Sequence, residues 1–223
     1  MAGQFSTEGT SLERYAARFR AAEINSSFHR PHRLSTWQRW HDSVPEDFRF
    51  SVKLPKTVTH ERKLVDSHEQ LDAFVAQTGM LGEKLAVVLV QLPPKLEFET
   101  RIANKFFETL RERCPAKLAC EPRHVSWFSD EAAALLVRHK VCRVAADPAI
   151  CEAAGTPGGW RGFSYWRLHG SPRIYRSSYA DRIAGYAQAL REEATARETW
   201  CIFDNTASSA AASDALALTE EVG

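Results

Sequence analysis

At 223 residues, with 44% hydrophobic and 26% charged positions, the chain has the balance of an ordinary globular protein and the length of one large domain or two small ones. Its 29 Lys and Arg against 28 Asp and Glu leave a formal charge of +1. No overall field therefore recruits nucleic acid or an anionic membrane, and charge-based recognition must be local.

The longest apolar stretch, residues 85–90, is far too short to span a bilayer, and residues 1–10 are polar rather than signal-like. The expectation is a chain with no membrane partner and a cytoplasmic location by default. Cys114, Cys120, Cys142, Cys151 and Cys201 are odd in number and lack a CxxC pair, which argues against a disulfide framework or a zinc ribbon. Reduced, mostly buried thiols are expected.

In chain order, short apolar, β-branched or aromatic runs end in polar residues and alternate with helical patterns. The runs cover residues 21–27, 48–54, 85–92, 117–121, 141–147, 163–169 and 200–204. Between them, Leu12, Tyr15, Ala16 and Phe19 share a helical face, as do Leu71, Phe74 and Val75, then Ile102, Phe106 and Leu110, then Ile183, Tyr186, Ala187 and Leu190. Ser67 with Gln70 three residues on predicts a capping box. The glycine-rich stretch 155–160 lacks the lysine of a nucleotide loop and reads as a mobile connection, and the basic stretch 29–33 reads as a solvated loop.

Strand–helix alternation of this kind fits a closed barrel or an open doubly wound sheet. Parity favours the barrel. Arg49, Ser51 and Lys53 share one strand face opposite Phe48, Phe50 and Val52, and the same split pairs Glu23 with Asn25, Glu121 with Arg123, Arg143 with Asp147, and Arg167 with His169. A face that is polar in strand after strand suits a barrel interior near its rim better than a sheet covered by helices on both sides.

Six ordered motifs strengthen this: EINSSFHRP from Glu23, VKLPKTVTHE from Val52, QLPP from Gln91, EPRHVSWF from Glu121, ADP from Ala146 and RLHGSPRIY from Arg167. Together they resemble the YecE-like family, catalogued as domain-of-unknown-function family 72, from about Leu12 to the C-terminus. The resemblance implies a TIM-type parallel β/α barrel over residues 11–223 as a single domain, and brings no established activity. Family members usually open with a strand of the type IGTSGW, where this chain has MAGQFSTEGT. The usual first strand is thus expected to be missing, leaving seven recognisable strands and residues 1–10 as a polar, truncated segment. The barrel is otherwise expected to be open between the strands at 21–27 and 200–204.

A barrel collects its functional side chains at the C-terminal strand ends. Glu121, His124, His169 and Lys53 are the candidate acid, base or nucleophilic groups, and Glu23, Asn25, Gln91, Arg123, Asp147, Arg167, Arg173, Asp204 and Asn205 are candidate ligand-binding groups. Lys53, ending an apolar strand, could serve as a Schiff-base former or general base, or pair with Glu23 or Glu121. His124 could share acid–base work with Glu121, or turn away and cap a helix. Gly170 with Arg173 suggests phosphate or carboxylate recognition, against a plain turn with exposed arginines.

The expected function is binding of a small anionic or polyhydroxylated molecule with acid–base chemistry, as lyase, isomerase or hydrolase. One alternative is a metal-dependent hydrolase, possible for phosphoesters; a divalent metal would need ligands assembled from different strand ends, since no local ligand motif exists. The other is a non-catalytic binding or scaffold protein, with the charged side chains simply neutralising one another.

Overall fold

Every apolar run read from the sequence becomes a strand in the computed structural model, which describes Phe5 and residues 7–223. The strands are β1 (Ala21–Ile24), β2 (Arg49–Lys53), β3 (Leu85–Gln91), β4 (Lys117–Glu121), β5 (Val141–Arg143), β6 (Ala145–Asp147), β7 (Gly158–Gly159), β8 (Ser164–Leu168) and β9 (Thr199–Phe203). The helices are α1 (Ser11–Ala16), α2 (Leu34–Asp42), α3 (His68–Thr78), α4 (Thr100–Arg113), α5 (Asp130–Arg138), α6 (Ile183–Ala194) and α7 (Ala210–Val222). The fold is α/β with mostly parallel strands.

The chain divides into two compact units, one ending at Ala119 and the other beginning at Cys120. In the first, β1, β2 and β3 run parallel, with Ala21 opposite Arg49 and Val52 opposite Val88. Phe50, Val52 and Leu54 of the β2 segment and residues 87–90 of β3 are almost completely buried, as are Leu71 and Phe74 of α3 and Phe106, Phe107 and Leu110 of α4.

In the second unit, β6, β8 and β9 form a parallel sheet, with Arg167 opposite Ala146 and Ile202. Trp166, Leu168, Tyr179, Ile183, Ala187, Leu190, Phe203 and Leu218 make up one core cluster on it. The run at 141–147 is one strand in the sequence and two in the structure. At Val144 the chain turns, its amide donating to the Cys120 carbonyl at 2.8 Å, and β6 then pairs with β8.

Among the described residues the strand pairings fall into two sheets, β1-β2-β3-β4-β5-β7 and β6-β8-β9, and neither returns on itself. Other expectations are corrected. The stretch 155–160 is not a loose connection, because Gly158 and Gly159 pair antiparallel with β5. Gly159 requires glycine, with φ +61 and the Val141 carbonyl 2.7 Å from a Cβ position, whereas a Cβ on Gly158 would lie 2.4 Å from the Arg143 guanidinium and displace it. The capping box at α3 does not form, since Ser67 is not extended (φ −99, ψ 17) and its side chain makes no capping bond. Helix α1 ends at Ala16, so Phe19 lies beyond it, and α1 has no fully buried residue.

Of residues 1–10, Met1 to Gln4 and Ser6 lie outside the described residues, and so does most of the expectation about that segment. All five cysteines are free, with Cys114, Cys120 and Cys142 buried. Among the described residues, no helix is long and apolar enough to cross a membrane.

Candidate functional site

The second unit gathers five of the predicted side chains into one charged network. Strand parity brings Arg167 and His169 to the same side at the end of β8, and Glu121 ends β4. Arg167 donates from Nη1 to Glu121 Oε2 at 2.5 Å and from Nη2 to Asp204 Oδ2 at 2.9 Å. His169 bridges the same two carboxylates, with Nε2 3.2 Å from Glu121 Oε1 and Nδ1 3.1 Å from Asp204 Oδ2. Arg123 Nε adds a fifth bond to Glu121 Oε1 at 2.9 Å. The result is a square of alternating charge with an arginine on one corner.

The charge states follow from these partners. Burial alone would raise the Glu121 carboxyl, but Arg167, His169 and Arg123 hold it well below the carboxylate range. Burial opposes protonation of His169, yet its hydrogen bonds to Asp204 and Glu121 prevail and raise it above the usual imidazole value. Both ring nitrogens face carboxylate oxygens, and only an imidazolium can donate to both. Asp204, which burial would raise, is lowered by His169 and Arg167.

Three cations thus surround two carboxylates. The Glu121 oxygens are occupied by three donors, which makes Glu121 a poor general base. Arg167 is 1% exposed as a side chain, whereas Arg123 is 27% exposed and Asp204 17%, so the network is buried on one side and open on the other.

A residue outside the predicted set borders the open edge. Tyr175 lies near Arg123 and favours its charged form, and its ring meets the His169 ring edge-on at 6.0 Å between centroids. Its φ is +65, a left-handed conformation unusual for a bulky side chain. RLHGSPRIY shows the tyrosine but carries no signal that its backbone is left-handed.

The other predicted residues take separate places. Asp147 accepts from Tyr179 Oη at 2.5 Å and from Arg182 at 3.4 Å. Asn205 is fully buried and donates to the Ser177 carbonyl and to Asp214, itself 2% exposed. His124 turns away from Glu121 and caps the following turn, its Nδ1 accepting from the Ser126 amide at 3.3 Å. Arg173 is exposed, and its amide donates to Ser177 Oγ.

In the first unit, Asn25 donates to Glu23 at 2.9 Å, Gln91 donates to the Leu92 carbonyl, and the Lys53 ammonium sits 3.9 Å from the centre of the Phe28 ring. Among the described residues, no group of three or more His, Cys, Asp or Glu is placed to hold a metal ion. Glu121, His169 and Asp204 use their polar atoms on one another and on arginine instead.

A family model described as "Protein of unknown function DUF72" matches residues 4–223. The UPF0759 protein YecE of Escherichia coli (strain K12) is 30% identical over 84 residues, covering 38% of this chain and 31% of that protein. The UPF0759 protein YunF of Bacillus subtilis (strain 168) is 32% identical over 124 residues, covering 53% of this chain and 44% of that protein. The matched part thus spans less than half the length of either curated relative.

The crystal structure of a DUF72 family protein from Enterococcus faecalis V583 superposes with a TM-score of 0.80 over 96% of this chain and 88% of that one, at 19% identity. One from Thermotoga maritima MSB8 gives 0.72 over 91% and 84%, at 26% identity. With the matched model running over almost the whole sequence and the same fold in these crystal structures, the chain belongs to the DUF72 family of proteins of unknown function.

Proposed function

We propose that the protein binds a small anionic or polyhydroxylated ligand at the strand ends of its second unit, where Arg123 and Tyr175 border the buried network. The observation carrying this reading is the excess of cation: Arg123, Arg167 and a protonated His169 against Glu121 and Asp204. A buried ion network stabilises a fold poorly compared with apolar packing of the same volume, and so calls for another reason to be there. Fixed donors around an unfilled positive charge favour an incoming anion without reorganisation.

His169 is the protonated group of the network, and acid catalysis by it would require a ligand to displace Glu121 or Asp204 from one of its two N–H groups. The saturation of Glu121 favours a second reading, binding without turnover. A TIM-type barrel, whose strand ends collect such groups, is the architecture that goes with the proposal.

The test is calorimetric titration with inorganic phosphate and with malonate near pH 6. Arg123→Gln, at the accessible corner, is expected to weaken binding roughly ten-fold or more, the usual loss for a charged hydrogen bond. Unchanged affinity in a folded Arg123→Gln protein removes the site. Recovery of bound candidate ligands chemically unchanged after long incubation with the wild-type protein would favour the second reading.

A further inference from the structure

The open edge of the charged network offers three groups to a solute, and each asks for a different feature. Arg123 spends Nε on Glu121, and its side chain is 27% exposed. A guanidinium is a planar fork that a carboxylate matches with two parallel hydrogen bonds. Asp204 accepts from Arg167 and from His169 through a single oxygen, Oδ2, and its Oδ1 takes no hydrogen bond among the described residues. That oxygen is within reach of a solute: the side chain is 17% exposed, and Oδ1 is not among the buried polar atoms left without a partner. An ionised carboxylate oxygen can only accept, so a bare anion gives Asp204 nothing. Arg167 and His169 already neutralise its charge, so a hydroxyl, which donates without adding a further cation, suits it better than an ammonium.

Tyr175 supplies the third group. The residue is 40% exposed, and its ring stands edge-on to His169, close to Arg123. Its backbone is left-handed at φ +65, which is costly for a bulky residue and persists only where neighbours enforce it. Two hydrogen bonds do so: its amide donates to the His169 carbonyl, and its carbonyl accepts from the amide of Ala207, three residues after Asp204. The phenol ring is thereby held beside the network with much of its surface bare. Such a ring offers an apolar body and a polar tip, which together match the C–H face and the hydroxyls of a saturated ring.

We propose that this edge binds a hydroxylated ring bearing one carboxylate, of the sugar-acid class. Arg123 pairs with the carboxylate, a ring hydroxyl donates to Asp204 Oδ1, and the ring lies against Tyr175. The proposal rests on the anion site described under the proposed function and names its ligand.

The test is calorimetric titration of the full chain near pH 6 with four probes: glucuronate, glucose, cyclohexanecarboxylate and malonate. Glucuronate is expected to bind most tightly. Glucose, without the charge, and cyclohexanecarboxylate, without the hydroxyls, are each expected to be roughly ten-fold weaker. Tyr175→Gly removes the ring and suits the positive φ, and Tyr175→Asn, which also tolerates that backbone, is a second route to the same loss. Each, with its folding checked by urea unfolding, is expected to weaken glucuronate roughly three- to ten-fold and to leave malonate within about two-fold. Tyr175→Phe keeps the ring and is expected to retain most of the glucuronate affinity.

The sugar-acid assignment is overturned, with the anion site left standing, if malonate binds and glucuronate binds no more tightly. It is overturned in the same way if cyclohexanecarboxylate matches glucuronate, or if Tyr175→Gly and Tyr175→Asn bind glucuronate as the wild-type protein does. Should neither malonate nor glucuronate bind the folded protein at millimolar concentration, the anion site and the assignment fall together.

Discussion

His169 stands between two carboxylates, so its contribution to stability depends on pH with a definite sign. Its folded-state pKa lies above the ordinary 6.5, so the contribution is complete below that value and is lost as pH rises through the folded one. Glu121 and Asp204 lie below their ordinary 4.5 and 3.8, so what they contribute is present above those values and is lost as pH falls through the lower folded ones. The stability gap between wild type and His169→Asn, measured by urea unfolding, is therefore expected to be widest at pH 5–6.5 and to narrow toward pH 9. A gap independent of pH would mean that His169 is not charged in the folded protein. Glu121→Gln leaves Arg167 buried without its full partner and is expected to cost roughly 3–5 kcal/mol, read from the same unfolding curves. Glu121, Arg123, Arg167, His169 and Asp204 were all legible as candidates, because a charged residue at the end of an apolar strand stands out. Their partners were not. His124 is as conspicuous in EPRH as His169 is in RLHG, and only the turn after β4 sends it to cap its own backbone.

At the scale of the element, the strands were legible because apolar, β-branched runs bounded by polar residues have few other uses. What the pattern missed depends on backbone geometry. Nothing local in residues 155–160 indicates that two glycines pair with β5, since what selects them is the closeness of Val141 and Arg143. Gly159→Ala is accordingly expected to destabilise the protein by about 2 kcal/mol in denaturant titrations, through its positive φ and contact with the Val141 carbonyl. The opposite holds just after α5, where Lys140 has φ +53 and its amide caps Val137. Lys140→Gly is expected to stabilise by about 1 kcal/mol, visible as a higher denaturant midpoint with an unchanged slope.

At the scale of the whole molecule, the five cysteines report on burial in both units. Desolvation raises the Cys120 thiol and pushes those of Cys142 and Cys201 up to about 12, while Cys151 is only partly buried. Titration with a thiol reagent in native buffer is expected to label Cys151 first, with Cys114, Cys120 and Cys142 released only on unfolding. Rapid native labelling of those three would contradict the cores described for the two units.

By itself the sequence determined the alternation of strands and helices, the apolar faces and the parity that carries Arg167 and His169 on one side, because these depend on hydrophobic periodicity along the chain. Only the tertiary structure decided the rest. The joining of Glu121, Arg167, His169 and Asp204 and the division of strands into two sheets both involve residues far apart in sequence. Hydrogen bonds between distant strand ends are selected by distance and burial, and neither is written in local spacing.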